Sequence, residues 1–242
     1  MYYVVGAIIV AFAAWGIYAA FFNTAPTCFD GKQNGTEVGV DCGGTCALIC
    51  QNVAKEPTVA WARSFQTAPN SYTVAAYIKN NNGNAGAKNV AYSFQLFDAN
   101  NSLVVERDGV ANLPPVQTIP LIETNINVGN RTVTHVQFAF SNTPPALWSN
   151  VQANSIPMLH VSQQNLSDDA SRLSASVVNE TLRDVTNVTA AAVLFDSQGV
   201  ARAASKSLVP LVPARGAASL VFTWPGGIPD IVRAEITLLP SF

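Results

Sequence analysis

The chain has 242 residues, room for one or two domains, with 13 Lys/Arg against 15 Asp/Glu and a net charge of −2. Charged residues make up 12%, about half the usual share, while hydrophobic residues reach 49%. No cluster of Lys or Arg occurs, which excludes an electrostatic footprint for nucleic acid and a polybasic membrane patch. The polar surface must be built from Asn, Ser, Thr and Gln, as in secreted β-rich modules rather than cytosolic enzymes.

The first element is Tyr2 to Phe22, YYVVGAIIVAFAAWGIYAAFF, with no charge and no proline. As a helix rising about 1.5 Å per residue it is about 31 Å long, matching a hydrocarbon core of roughly 30 Å. We read residues 2–22 as a single membrane anchor. The alternative is a cleaved signal peptide, which needs a basic start, a shorter apolar run and a small-x-small cleavage site. Here Met1 leads straight into the apolar run, and Pro26 follows the small residue Ala25. Flanking charge gives almost no orientation, since only Lys32 lies close.

All four cysteines, Cys28, Cys42, Cys46 and Cys50, follow within a short stretch. An even, clustered set beside an apolar helix reads as two disulfides in an oxidising compartment, with three pairings open. Zinc is the rival, but structural zinc sites prefer paired C-x2-C knuckles, which this spacing lacks. The disulfide reading orients the chain: N-terminus cytoplasmic, residues from about 23 onward extracytoplasmic. The segment CFDGKQNGTEVGVDCGGTCALIC is glycine-rich and cannot build an apolar core, so cross-links must hold it. Gly43-Gly44 permits a sharp turn. Asp30, Asn34, Glu37 and Asp41 raise a calcium alternative, yet an EF-hand register from Asp30 puts Lys32 at a ligand position and Asp41 in place of the closing Glu. Asx side chains capping their own backbone are the preferred reading, and no metal or cofactor is expected. The segment resembles the Cys-rich motif C-x-D-G-x-x-N-G-x-E-x-x-V-D-C-G-G-x-C of extracellular and cell-surface proteins, which implies a stalk element without enzymatic meaning.

Beyond Pro57 the apolar period becomes two and the segments are short. Tyr72 to Asn80 is a strand ending in the turn Asn80-Asn-Asn-Gly83, and Ala91 to Phe97 is another, ending at Asp98. The second half repeats the first. Leu173 to Asn179 answers Val74 to Asn80, Val188 to Asp196 answers Val90 to Asp98, and Ile231 to Leu238 answers Val133 to Phe140. Each copy, with roughly seven strands in about 90 residues, fits an antiparallel β-sandwich. Alternation sends Phe94, Leu96 and Asp98 to one side and Gln95 and Phe97 to the other. Leu96 and Phe97, with Leu194 and Phe195, are core, and Asp98 and Asp196 cap turns. The strand ending in Leu-Phe-Asp resembles the FxLYD-type immunoglobulin-like or fibronectin-III-like surface domains, with Phe97 and Phe195 in place of Tyr and Ala192 in place of the leading Phe. The resemblance implies a binding or spacer module without catalysis. Thr143 to Ser155 reads as a linker, with Trp148 placed to pack at the junction of the two copies.

His135 and His160 have no acid or cysteine at metal or triad spacing, and no nucleophile, zinc or phosphate-loop motif occurs. Asp168-Asp169 reads as a solvated loop. Asn-x-Ser/Thr sequons stand at Asn34, Asn100, Asn130, Asn165, Asn179 and Asn187.

The expected organisation is an anchor over 1–23, a Cys-rich stalk over 24–55, and β-sandwiches over 56–146 and 147–242. The expected role is a non-enzymatic surface protein in adhesion, scaffolding or protein–protein interaction, with partners held by the sandwiches. The alternative is a structural subunit of a cell-envelope complex or filament, although the pattern of a type IV pilin leader is missing.

Overall fold

The computed structural model describes residues 2–22, 27–141, 147–151 and 155–240, with helix side chains described over 3–16. The expected anchor exit at 23–26 and much of the expected linker lie outside the described residues. The chain divides into two compact units, Met1–Cys50 and Gln51–Phe242.

The first unit opens with helix α1, Tyr2–Phe22, unbroken over 21 residues. Every described side chain on it is exposed. Among the residues whose side chains are described, which in α1 are 3–16, no helix is long and apolar enough to cross a membrane. The cysteine segment is closed by two disulfides, Cys28–Cys46 and Cys42–Cys50, whose loops overlap. Between them Val38 and Gly39 donate backbone N–H groups to Cys42 O at 3.0 and 3.2 Å. The turn expected at Gly43-Gly44 is present, with φ of +77° and +58°. At Gly44 a Cβ would lie 1.9 Å from Thr36 O, so only glycine fits.

The second unit is mainly β. Its first half holds β1 (Thr58–Ala68), β2 (Ser71–Lys79), β3 (Ala85–Phe97), β4 (Leu103–Leu113), β5 (Thr118–Asn127) and β6 (His135–Phe140). The short β7 (Trp148–Asn150) follows. The second half holds β8 (Leu159–Leu166), β9 (Arg172–Asn179), β10 (Val185–Asp196), β11 (Ala201–Val212), β12 (Ala217–Thr223) and β13 (Ile231–Leu239). Sheets β1-β2-β5 and β4-β3-β6 in the first half recur as β8-β9-β12 and β11-β10-β13 in the second, all antiparallel. Identical strand order in both halves is the structural counterpart of the sequence repeat.

Two details differ from expectation. The strands are longer than expected, reaching 13 residues in β3, where register shifts at Ala87/Val90 and Leu96/Phe97 let pairing with β4 continue past local irregularities. The strand at Trp148 belongs to the first copy's sheet. β6 covers one edge of β3 from Tyr92 to Phe97, and β7 fills the rest by pairing Trp148 with Ala87 and Asn150 with Ala85. Trp148 is buried there.

Each pair of sheets encloses a core. In the second copy Leu173, Val177, Ala192, Leu194, Leu220 and Phe222 meet between β8-β9-β12 and β11-β10-β13. In the first, Val74, Ile78, Phe94 and Leu96 are fully buried, and Phe94 and Phe138 meet edge to face at 5.1 Å. A third cluster joins the copies. Ala75 and Ile122 of the first pack on Ala191, Val193, Phe195, Ala201 and Ala204 of the second, with Trp61, Phe65 and Tyr77 at its border. Strands β2 and β10 are therefore buried on both faces.

Candidate functional site

In the cysteine segment the acidic and amide side chains bind local backbone and one another. Asp41 Oδ1 accepts from Asp30 N and Gly31 N at 3.0 and 3.1 Å. Asp30 accepts from Lys32 N at 2.9 Å and from Asn34 Nδ2 at 2.8 Å. Glu37 Oε2 accepts from Asn34 N at 3.1 Å. The bond from Asn34 holds the Asp30 carboxyl below its ordinary range. Asn34 Oδ1 is buried without a hydrogen-bond partner. Glu37 and the sulfurs of Cys28 and Cys46 lie within 4.8 Å of one another. Those sulfurs are bonded to each other, so they are not thiolate ligands.

In the β unit, Leu96 and Leu194 are fully buried in the cores of the two halves. The aspartates that follow do the same work twice. Asp98 Oδ1 accepts from Asn100 N and Ser102 N at 2.9 and 3.0 Å. Asp196 Oδ1 accepts from Gln198 N and Val200 N, both at 2.9 Å. The third turn residue is left-handed in each, Asn101 at φ 59° and Gly199 at φ 74°. Each second oxygen holds an arginine: Asp98 takes Arg131 at 2.7 Å and Asp196 takes Arg202 at 3.2 Å. The Arg131 bond lowers the Asp98 pKa. The phenylalanines differ. Phe97 is half-buried, stacked on His135 at 5.1 Å, whereas Phe195 is buried against Tyr77 at 6.3 Å with Arg233 over its ring at 4.2 Å.

Sequence reasoning named Asn80 as a strand end and Asn179 as a strand end and a sequon; both are buried clamps. Asn80 Nδ2 donates to Ala85 O and Pro114 O at 2.8 and 2.9 Å, and Asn179 Nδ2 to Arg183 O and Val212 O at 2.8 and 3.1 Å. Their recurrence at matching places in the two copies was the available signal.

The junction of the copies holds a cleft of ≈650 Å³, bordered by β4, β5, β11 and the end of β13. At its wall Glu123, nearly buried, accepts from Tyr92 Oη at 2.9 Å and pairs with Lys206 at 3.2 Å and Arg107 at 3.5 Å. Tyr92 reaches it because Gly109 leaves room; a Cβ there would lie 2.3 Å from the ring. Burial, and then the Glu123 charge, push Tyr92 ionisation upward, so the phenol stays a donor. Across the same junction Tyr77 Oη donates to Glu235 at 2.9 Å, and burial pushes its pKa up to about 12, countered by Arg233. Both clusters tie one copy to the other, and neither sets a nucleophile beside a base.

The two histidines lie apart on β6 and β8. His160 Nδ1 has an acid at 3.3 Å, Glu180, which its sequence neighbours did not reveal. Both groups are exposed, and the pair forms no triad. Asp169 accepts from Ser171 N at 3.0 Å and Ser167 Oγ at 2.7 Å. These bonds, the backbone one first, lower its pKa to about 2.

No protein-family model matches this sequence, and no curated protein matches it. Among solved structures, the crystal structure of red sea bream transglutaminase aligns at 10% identity with a TM-score of 0.23, covering 74% of this chain. This chain spans 29% of the length of that one. At that score the likeness carries no argument about fold or activity.

Proposed function

We propose that the protein is a single-pass, N-terminally anchored surface protein, non-enzymatic, that holds partner proteins through its β unit in adhesion or scaffolding. The carrying observation is α1: 21 uncharged residues in one helix whose described side chains are all exposed. Apolar surface of that extent is unstable against water and stable in lipid. The disulfide-closed segment that follows supports an extracytoplasmic stalk, since such bonds persist in oxidising compartments. We read the two halves, which share six strands and differ by the added β7 in the first, as immunoglobulin-like sandwiches of the FxLYD type. The Leu-Phe-Asp turns and the equal strand order favour that reading. The absence of an acid/base constellation at either junction cluster favours a binding role over hydrolysis.

The test is protease applied outside intact cells. Digestion of residues 60–242 together with a known surface control is the expected result. Survival of that region while the control is cut overturns the topology.

A further inference from the structure

We propose that a second cleft between the two copies binds an oxyanion, the carboxylate or phosphate group of an external ligand. The cleft, ≈470 Å³, is bordered by β1, β6 and the start of β11, and Arg63, Arg202, Ser64, Gln66, Thr134 and His135 are in its lining. No Asp or Glu is in that lining. Charged residues are only 12% of this chain, so two guanidinium groups in one cleft are a local excess.

Arg63 is exposed on β1, its guanidinium 5.8 Å over the Trp61 ring, and it meets no carboxylate among the described residues. Arg202 pairs through Nε with Asp196 Oδ2 at 3.2 Å, which leaves the Nη groups at the end of the fork for another acceptor. Two cations against one carboxylate leave one positive charge uncompensated. The planar fork of arginine suits carboxylate and phosphate oxygens in pairs.

The duplicated fold supplies an internal control. Groups that the scaffold itself requires recur in both copies, as Asn80 and Asn179 or Asp98 and Asp196 do. The two arginines do not recur. Arg63 pairs with Ala75, and the matching pair in the second copy is Asn165 with Ser174. The first-copy position matching Arg202 is Val104, and there Asp98 draws its cation from Arg131 instead. Arg202 therefore has a structural duty toward Asp196, and Arg63 has none.

The experiment uses the full chain purified in an uncharged maltoside detergent, titrated at fixed ionic strength with tripolyphosphate and, separately, with a hexaglutamate peptide. Calorimetry or amide chemical shifts report binding. The expected result is saturable binding of at least one probe, weaker at higher salt, and weakened about tenfold or more by Arg63→Gln or Arg202→Gln. Arg172→Gln, at an exposed arginine of β9, leaves it unchanged. The probe that binds tells phosphate from carboxylate as the source. Arg202→Gln also unpairs Asp196, so Arg63→Gln is the decisive variant. Saturation by neither probe up to roughly 10 mM, or equal weakening by Arg172→Gln, overturns the site. The proposal concerns residues 51–242 and stands whichever way the topology test falls.

Discussion

Asn80→Ala tests whether the paired asparagines hold each half of the β unit together. Asn80 is 2% exposed and Asn179 is 1% exposed, so water does not replace what either loses. Asn80 makes two short donor bonds, to Ala85 O and Pro114 O, and accepts from Asn82 N and Asn82 Nδ2, both at 2.9 Å. At about 1 kcal/mol net per bond, removal costs about 4 kcal/mol. For a unit of this size that lowers Tm by about 8–16 °C. Asn179→Ala costs less, about 3 kcal/mol, because Thr181 Oγ1 keeps a second acceptor in Arg183 O at 2.9 Å. Asn80→Asp is worse than alanine at neutral pH: it removes the donors and sets a buried negative charge against carbonyl oxygens. Urea and thermal unfolding of the full chain in detergent, followed by near-ultraviolet circular dichroism, provide the measurement. A loss under about 1 kcal/mol for Asn80→Ala refutes the clamp.

Phe195→Ala should cost about 3–5 kcal/mol, and Phe97→Ala, at the matching but half-buried position, under about 2; equal losses in urea unfolding would argue against the packed junction. Peptide mapping under non-reducing conditions should recover Cys28 joined to Cys46 and Cys42 joined to Cys50, and any other pairing contradicts the stalk. Asp169 has its pKa lowered to about 2 from 3.8. Its contribution is therefore complete above about pH 4 and lost as pH falls through about 2. Carbon-detected NMR should show that titration, with Asp169→Asn removing it; a midpoint near the ordinary aspartate value contradicts the capping bonds. Tyr77, with a pKa of about 12, should stay un-ionised in ultraviolet titration well past the midpoint of exposed tyrosines, about 10.

Strand positions and the duplication were legible because period-two alternation reports a half-buried strand directly, as in Leu173 to Asn179, LSASVVN. The disulfide state was legible and its pairing was not, since spacing leaves the choice to the fold. The junction also left a mark that alternation alone overlooks. Ala190-Ala-Ala-Val-Leu-Phe195 is a continuous apolar run, and Thr73 to Ala76 is buried without a break. Such runs report burial on both faces, which implies a further layer over the sheet. Reading Thr143 to Ser155 as a linker, with Trp148 at the junction, leaves that signal unused. Glu123, Lys206 and Arg107 were out of reach, because their meeting depends on the register between copies rather than on any local pattern.

The faces left over explain why the packing of one copy on the other stops at one contact. Joining unlike faces of two similar modules is a heterologous contact, and such contacts propagate into open fibres when each module keeps both faces. Here each copy uses only one. The second copy's junction face carries Ala191, Val193, Phe195 and Ala204; the matching positions of the first copy are Ser93, Gln95, Phe97 and Glu106. The first copy's junction face carries Ala75, Tyr77 and Ile122; the second copy has Ser174, Ser176 and Val221 there. Desolvating the Glu106 charge, which among the described residues only the Gln95 Nε2 bond at 3.2 Å meets, costs free energy that the remaining apolar area does not offset. Stacking of further sandwiches is thereby disfavoured. That weighs against the alternative of a filament built through sheet faces, and leaves the helix, the strand edges and the junction clefts as surfaces for the proposed partners.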